Sequence, residues 1–65
     1  MEAHVEKASD LQLLTPEELS GLVKVDVATL VQWRHRRQGP PFVKVGRLVR
    51  YRVDDVRAWI DGGGQ

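Results

Sequence analysis

The stretch DVATLVQWRHRRQGPPFVKVGRLVRYR, residues 26–52, decides how this chain is read. After Asp26 it carries seven cations (Arg34, Arg36, Arg37, Lys44, Arg47, Arg50 and Arg52) and no carboxylate. Its first half spaces apolar residues as a helix does, and its second alternates like a pair of strands. Gly39-Pro40-Pro41 separates the two halves, because the glycine can take a left-handed cap and the prolines force an extended path.

In the helical half, Asp26 is the cap candidate, and Val25 and Leu30 have the spacing of a hydrophobic staple. Leu30 and Trp33 define an inward stripe, with Val27 and Val31 at its margins. Ala28, Thr29, Gln32 and Arg36 fall on the opposite face. In the second half, Val43 and Val45 alternate with Lys44, and Val49 and Tyr51 with Leu48, Arg50 and Arg52. A two-residue centre, Gly46-Arg47, predicts a tight hairpin. The expected hairpin has an apolar face (Val43, Val45, Val49, Tyr51) and a cationic one (Lys44, Arg50, Arg52). A lone hairpin is marginal in water, so its apolar face must pack on helices.

Upstream, Leu14-Thr15-Pro16-Glu17-Glu18-Leu19 is a helix start. Thr15 and Glu18 form a capping box, Pro16 occupies the first helical position, and Leu14 and Leu19 have staple spacing. Leu19, Leu22 and Val23 form one buried face. Gly21 reads either as a point of close helix approach or as a tolerated weak position. Downstream, a helix begins at about Val53 or Asp54 and runs to Asp61. Asp54 and Asp55 suit the positive end of its dipole, Val56, Trp59 and Ile60 face inward, and Gly62-Gly63-Gly64 ends it. Residues 1–11 read as a flexible arm, 12–61 as the domain and 62–65 as a flexible tail.

The whole is expected to be an α+β fold. Three short helices carry a two-stranded antiparallel hairpin between helices 2 and 3, the pattern of a small winged helix-turn-helix. At 65 residues without cysteine, no disulfide or thiolate metal site can staple the core, and stability falls to apolar packing. His4 and His35 alone do not suggest a metal site, and no cofactor motif is present. No apolar run approaches the roughly 20 residues that span a bilayer, and no signal peptide is evident, so a soluble intracellular protein is expected. Catalytic constellations are absent, since Ser9 and Ser20 have no plausible partners and adjacent Asp54 and Asp55 point apart.

The net charge of +1 hides a segregation. Residues 1–26 carry six acids against Lys7 and Lys24, while residues 27–53 carry the seven bases. That distribution suits a polyanion, and duplex DNA above all. Seven bases imply roughly 5–7 phosphate contacts and a log–log salt slope of about −4 to −6. The 27–37 helix is the major-groove candidate. Gln32 can pair with adenine, Arg36 with guanine, and Thr29 can meet a thymine methyl or a phosphate, with Ala28 beside them. Arg47, presented by Gly46 at the hairpin tip, can reach a narrow minor groove. Lys44, Arg50 and Arg52 are expected on phosphate, and His35 beside it. Arg34 and Arg37 read either as phosphate contacts or as solvated cations at a helix end. Trp33, Tyr51 and Trp59 are placed in the core rather than stacked on bases. Leu48 reads as a wedge, a partner contact or a lone surface leucine.

The order Leu-Thr-Pro-Glu-Glu-Leu, Val-Asp-Val-Ala-Thr-Leu-Val-Gln-Trp, Pro-Pro-Phe-Val-Lys-Val-Gly-Arg-Leu-Val-Arg-Tyr and Asp-Val-Arg-Ala-Trp-Ile resembles the excisionase-type winged helix-turn-helix proteins. These belong with the MerR-like DNA-binding domains and include phage excisionases, AlpA-like regulators and small actinobacterial factors. The resemblance covers about residues 12–61 and is most specific at Thr29-Leu30…Trp33 and Val45-Gly46-Arg47…Arg50-Tyr51. It implies a recognition helix in the major groove, a wing along the neighbouring minor groove, and no catalysis. Phage excisionases of this kind bind adjacent sites, bend DNA and direct an integrase toward prophage excision, whereas sibling proteins regulate transcription. Without an effector domain or long dimerisation helix, the chain is expected to act as an accessory factor in a bacterial cytoplasm, at the nucleoid. Its implied partners are duplex DNA, a phage integrase and further copies associating head to tail on DNA. A separate class of reading is a protein-interaction module whose basic face docks an acidic partner.

Overall fold

A computed structural model describes residues 12–64. The arm assigned to residues 1–11 and the last residue, Gln65, lie outside the described residues. The element order is β1 (Leu13–Leu14), α1 (Pro16–Val23), α2 (Val27–His35), β2 (Val43–Val45), β3 (Leu48–Arg52) and α3 (Val53–Asp61). This is the expected small winged helix-turn-helix, with one strand more than the expected hairpin.

The start of α1 follows its sequence signature. The Thr15 hydroxyl accepts the Glu18 N–H at 3.0 Å, and the Thr15 N–H donates to the Glu18 carboxylate at 2.9 Å. Pro16 opens the helix without leaving a donor unused. Among the described residues nothing stands within 4 Å of where a Gly21 Cβ would be, so none of the described helices approaches it closely, which favours the weak-position reading.

The additional strand, β1, pairs antiparallel with β3 through Leu13↔Arg52 and Leu14↔Tyr51, giving the order β1-β3-β2. It is two residues long, too short for alternation to register in the sequence. Leu14 thereby does double duty, packing on the core beside Leu19 and closing the sheet edge. The Val53 N–H, donating to the Gln12 carbonyl at 3.2 Å, extends the join into the first turn of α3.

The hairpin closes with two turn residues, and Val45↔Leu48, Lys44↔Val49 and Val43↔Arg50 are its partners. Gly46 has a φ of +65° and open space where a Cβ would be, so glycine serves the turn's conformation there and not a close approach. This register overturns the expected division of the hairpin faces. Residues directly opposite in an antiparallel pair share a face, so Lys44 lies with Val49 and Tyr51, while Val43 and Val45 lie with Leu48, Arg50 and Arg52. Alternation along each strand was legible, but the phase between strands depends on the turn. Tyr51 and Val49 pack inward, whereas Val45 (49 % exposed) and Leu48 (54 %) stay at the surface.

The core is thin. Leu19, Leu30, Tyr51 and Val56 are buried, with Leu14, Val23, Val25, Trp33 and Val49 packed around them. Each buried leucine contributes about 1.5–3 kcal/mol by leaving water. Leu22 and Ile60, expected inward, are 65 % and 51 % exposed. Both line one groove with Leu14, Val23, Val53 and Val56, and nothing among the described residues covers them there.

Trp33 and Trp59 are half-buried and meet with ring centroids 5.7 Å apart at 56°. Gly39 lies against Trp33: a Cβ there would stand 2.5 Å from Trp33 Cε3, and its φ is +80°. The glycine run after α3 is hydrogen-bonded, Gly62 N–H to Ala58, Gly63 to Ile60 and Gly64 to Trp59, so the segment assigned to a tail contains the helix cap. No helix among the described residues is long and apolar enough to cross a membrane.

Two glycine substitutions should therefore act in opposite directions. Gly39→Ala should lower the unfolding free energy by about 1–3 kcal/mol, as overpacking does. Gly21→Ala should raise it by roughly 0.5–1 kcal/mol. Urea titration followed by tryptophan fluorescence measures both, and equal effects of the two would contradict the assigned roles.

Candidate nucleic-acid interface

Between α1 and α2 lie only Lys24, Val25 and Asp26. Lys24 makes the reversal in a left-handed conformation, φ +61°, with its N–H and that of Val25 donating to the Ser20 carbonyl at 2.9 and 3.3 Å. Val25 and Leu30 then drop into the core and fix the second helix against the first. Asp26 stands at the N-cap position, but its carboxylate makes no capping hydrogen bond. The expected side-chain cap is not formed, and α2 is held at that end by its apolar anchors instead.

Along α2, Ala28, Gln32 and His35 are exposed and Thr29 is half-buried at the margin of the same face. The helix ends at His35, and Arg36 is its exposed C-cap, with φ −95° and ψ 3°. Four of these five are the residues the sequence assigns to base reading, and helical spacing adds His35 to their face. The helix end forms a Schellman arrangement, in which the Gln38 N–H donates to the Trp33 carbonyl (2.7 Å) and the Arg37 N–H to the Arg34 carbonyl (3.3 Å). Its left-handed residue is Arg37, φ +57°, and not Gly39 as expected. A side chain in that conformation costs about 1–2 kcal/mol relative to an unstrained backbone. Gly39 is reserved for the contact with Trp33 two residues later, so the strain falls on an arginine.

Arg34 has a different surrounding from its neighbours. It is half-buried, one guanidinium nitrogen donates to the Tyr51 hydroxyl at 2.9 Å, and its Cζ lies 5.9 Å from the centroid of the Phe42 ring. Phe42 in turn meets Tyr51 edge-on, centroids 6.4 Å apart at 62°. These contacts join the C-terminal end of α2 to the base of the wing. Sequence reasoning missed Phe42 altogether. The signal available was an aromatic residue directly after the Pro-Pro break, at the root of a cationic hairpin.

On the wing, Gly46 and Arg47 are exposed at the tip, and Lys44 and Arg52 are exposed along the strands. Arg50 is half-buried, with a guanidinium nitrogen on the Val49 carbonyl at 2.7 Å. Arg50 and Arg52 share the outer sheet face, whereas Lys44 projects from the other, so the wing is basic on both sides and at its tip. The sequence-assigned cations are thus spread over one end of α2 and the whole hairpin, tied together through Arg34 and Tyr51. Elsewhere, Arg57 and Asp54 stand 4.0 Å apart and largely exposed, a geometry worth little in water. No group of three or more His, Cys, Asp or Glu among the described residues could hold a metal ion.

Tyr51→Phe should keep the ring in the core and delete only the hydroxyl. A loss of about 1 kcal/mol in stability is expected, with amide shifts in NMR spreading from Arg34 into β3. Shifts confined to residue 51 would mean that the bond does not link helix and wing.

A family model described as a helix-turn-helix domain matches residues 13–64. No curated protein and no solved structure matches the chain.

Proposed function

The chain belongs to the helix-turn-helix domain family, whose business is DNA binding, and from that premise we propose that it is an architectural DNA-binding protein of the excisionase type. In this reading α2 enters the major groove and the wing follows the adjacent minor groove. The observation that carries it is the joint between helix and wing. Arg34 bonded to Tyr51 holds two basic elements at one angle, which suits a continuous phosphate track better than a single docking patch on a protein.

Within that arrangement Gln32 and Arg36 read base edges, with Thr29 and Ala28 lining the approach. Arg47 on Gly46 probes the minor groove. His35, Arg37, Lys44, Arg50 and Arg52 hold phosphates and set the register, and Arg34 adds to them from the joint. The excision role rests on the resemblance of the α2 and wing sequences to excisionases. The protein would bind attachment-site DNA, bend it and direct an integrase toward excision, with further copies associating on neighbouring sites. A small transcription regulator using the same surface is the second reading, favoured by the family's breadth.

Arg36→Ala should relax sequence preference by about 1–3 kcal/mol at one base pair, measured as relative affinity across a set of single-base variants. An unchanged ranking of those variants would remove Arg36 from base reading. By contrast, Arg50→Ala should weaken all duplexes alike and make the salt slope shallower by about one. The excision role is tested by adding the protein to a cognate integrase on attachment-site DNA. A shift from integration to excision supports it, whereas an unchanged direction together with repression of a nearby promoter favours the regulator.

A further inference from the structure

The concavity at the joint between α2 and the wing, about 470 Å³, is lined by Arg34, Arg37, Gln38, Gly39, Pro41 and Phe42 among others. Its lining runs from the last turn of α2 through the Gly-Pro-Pro segment to the root of the wing. Three independent features give it the character of a binding site. Its charged lining is two arginines with no acid. Arg34 is already immobilised by Tyr51 and Phe42, so little further side-chain freedom is lost when its guanidinium meets an anion. Phe42 keeps 39 % of its surface exposed at the mouth although it is tethered to Tyr51.

Arg37 supplies the other half. Glycine is the residue that the left-handed end of a helix favours, yet an exposed arginine stands there, strained, at the lining of this concavity. A strained residue that persists at a surface points to a use for its side chain.

We propose that this concavity is a clamp for one nucleotide unit of the DNA backbone. The phosphodiester sits between the guanidinium groups of Arg34 and Arg37, the Gln38 amide offers a neutral hydrogen bond, and the deoxyribose lies against the open part of the Phe42 ring. The clamp rests on the DNA-binding reading above and deepens it. It anchors the backbone at the point where the chain passes from major-groove helix to minor-groove wing, and so fixes where along the duplex both elements engage. It reads no base, and it combines an ionic with an apolar contact on one nucleotide.

Those two contacts have different signatures, and the experiment uses both. The full chain, Arg37→Gly, Phe42→Ala and the double variant are titrated by fluorescence anisotropy against a mixed-sequence duplex of about 30 base pairs over a range of salt. Arg37→Gly should melt at a higher temperature than the wild type, because glycine relieves the strain, while its salt slope becomes shallower by about one. Phe42→Ala should weaken binding about three- to tenfold at every salt concentration with the slope unchanged, since an apolar contact releases no counterions. The double variant should lose less than the sum of the two, because both side chains serve one nucleotide. Wild-type affinity and slope in Arg37→Gly would overturn the clamp, and so would independent, fully additive losses. Failure of the wild type to bind the duplex at low salt would instead remove the DNA-binding reading, and the clamp with it.

Discussion

Tyr51 is the residue through which the rest of the structure communicates. Its ring is 1 % exposed and lies in the core with Leu19, Leu30 and Val56, while its hydroxyl accepts a hydrogen bond from Arg34 on α2. Its backbone pairs with Leu14 of β1, and its ring edge meets Phe42 at the root of the wing. A phenol can do this because it has a large apolar body and one polar tip. Remove the body and the core loses its largest member; remove the tip and the angle between helix and wing loses its tie.

That dependence follows from size. A chain this short buries few side chains completely, so each element must be stabilised locally as well as by packing. The capping box at Thr15 and Glu18 and the hydrogen-bonded ends of α2 and α3 provide that local support. The tryptophan pair extends the core sideways, with Gly39 fitted against one ring and Gly64 near the other. Such a domain can hold a precise surface without a deep interior, provided that the surface is built on the few residues that are anchored.

The left-handed positions show where the chain departs from what stability alone would choose. Lys24 and Arg37 both occupy conformations that glycine would take without cost. Lys24 sits in the turn between α1 and α2, and Arg37 sits where α2 gives way to the path toward the wing.

Much of this was legible in the sequence. The capping box at Thr15 and Glu18, the Pro-Pro break, the Gly46-Arg47 turn and helical spacing make the three helices and the hairpin legible, because each is a local rule that operates within a few residues. The charge distribution points to a polyanionic partner, because seven bases with no acid among them over residues 27–53 is a property of composition and order. What only the tertiary structure decided depended on distance between segments. The strand β1 exists because β3 offers an edge to it, and no two-residue stretch announces that. The hairpin faces were misassigned because alternation gives the period of a strand but not its phase against a neighbour. Leu22 and Ile60 were placed inside because periodicity finds an apolar stripe but not whether anything covers its margin. Arg34 reads as one more cation in a row of them until the fold brings Tyr51, seventeen positions away, to its guanidinium.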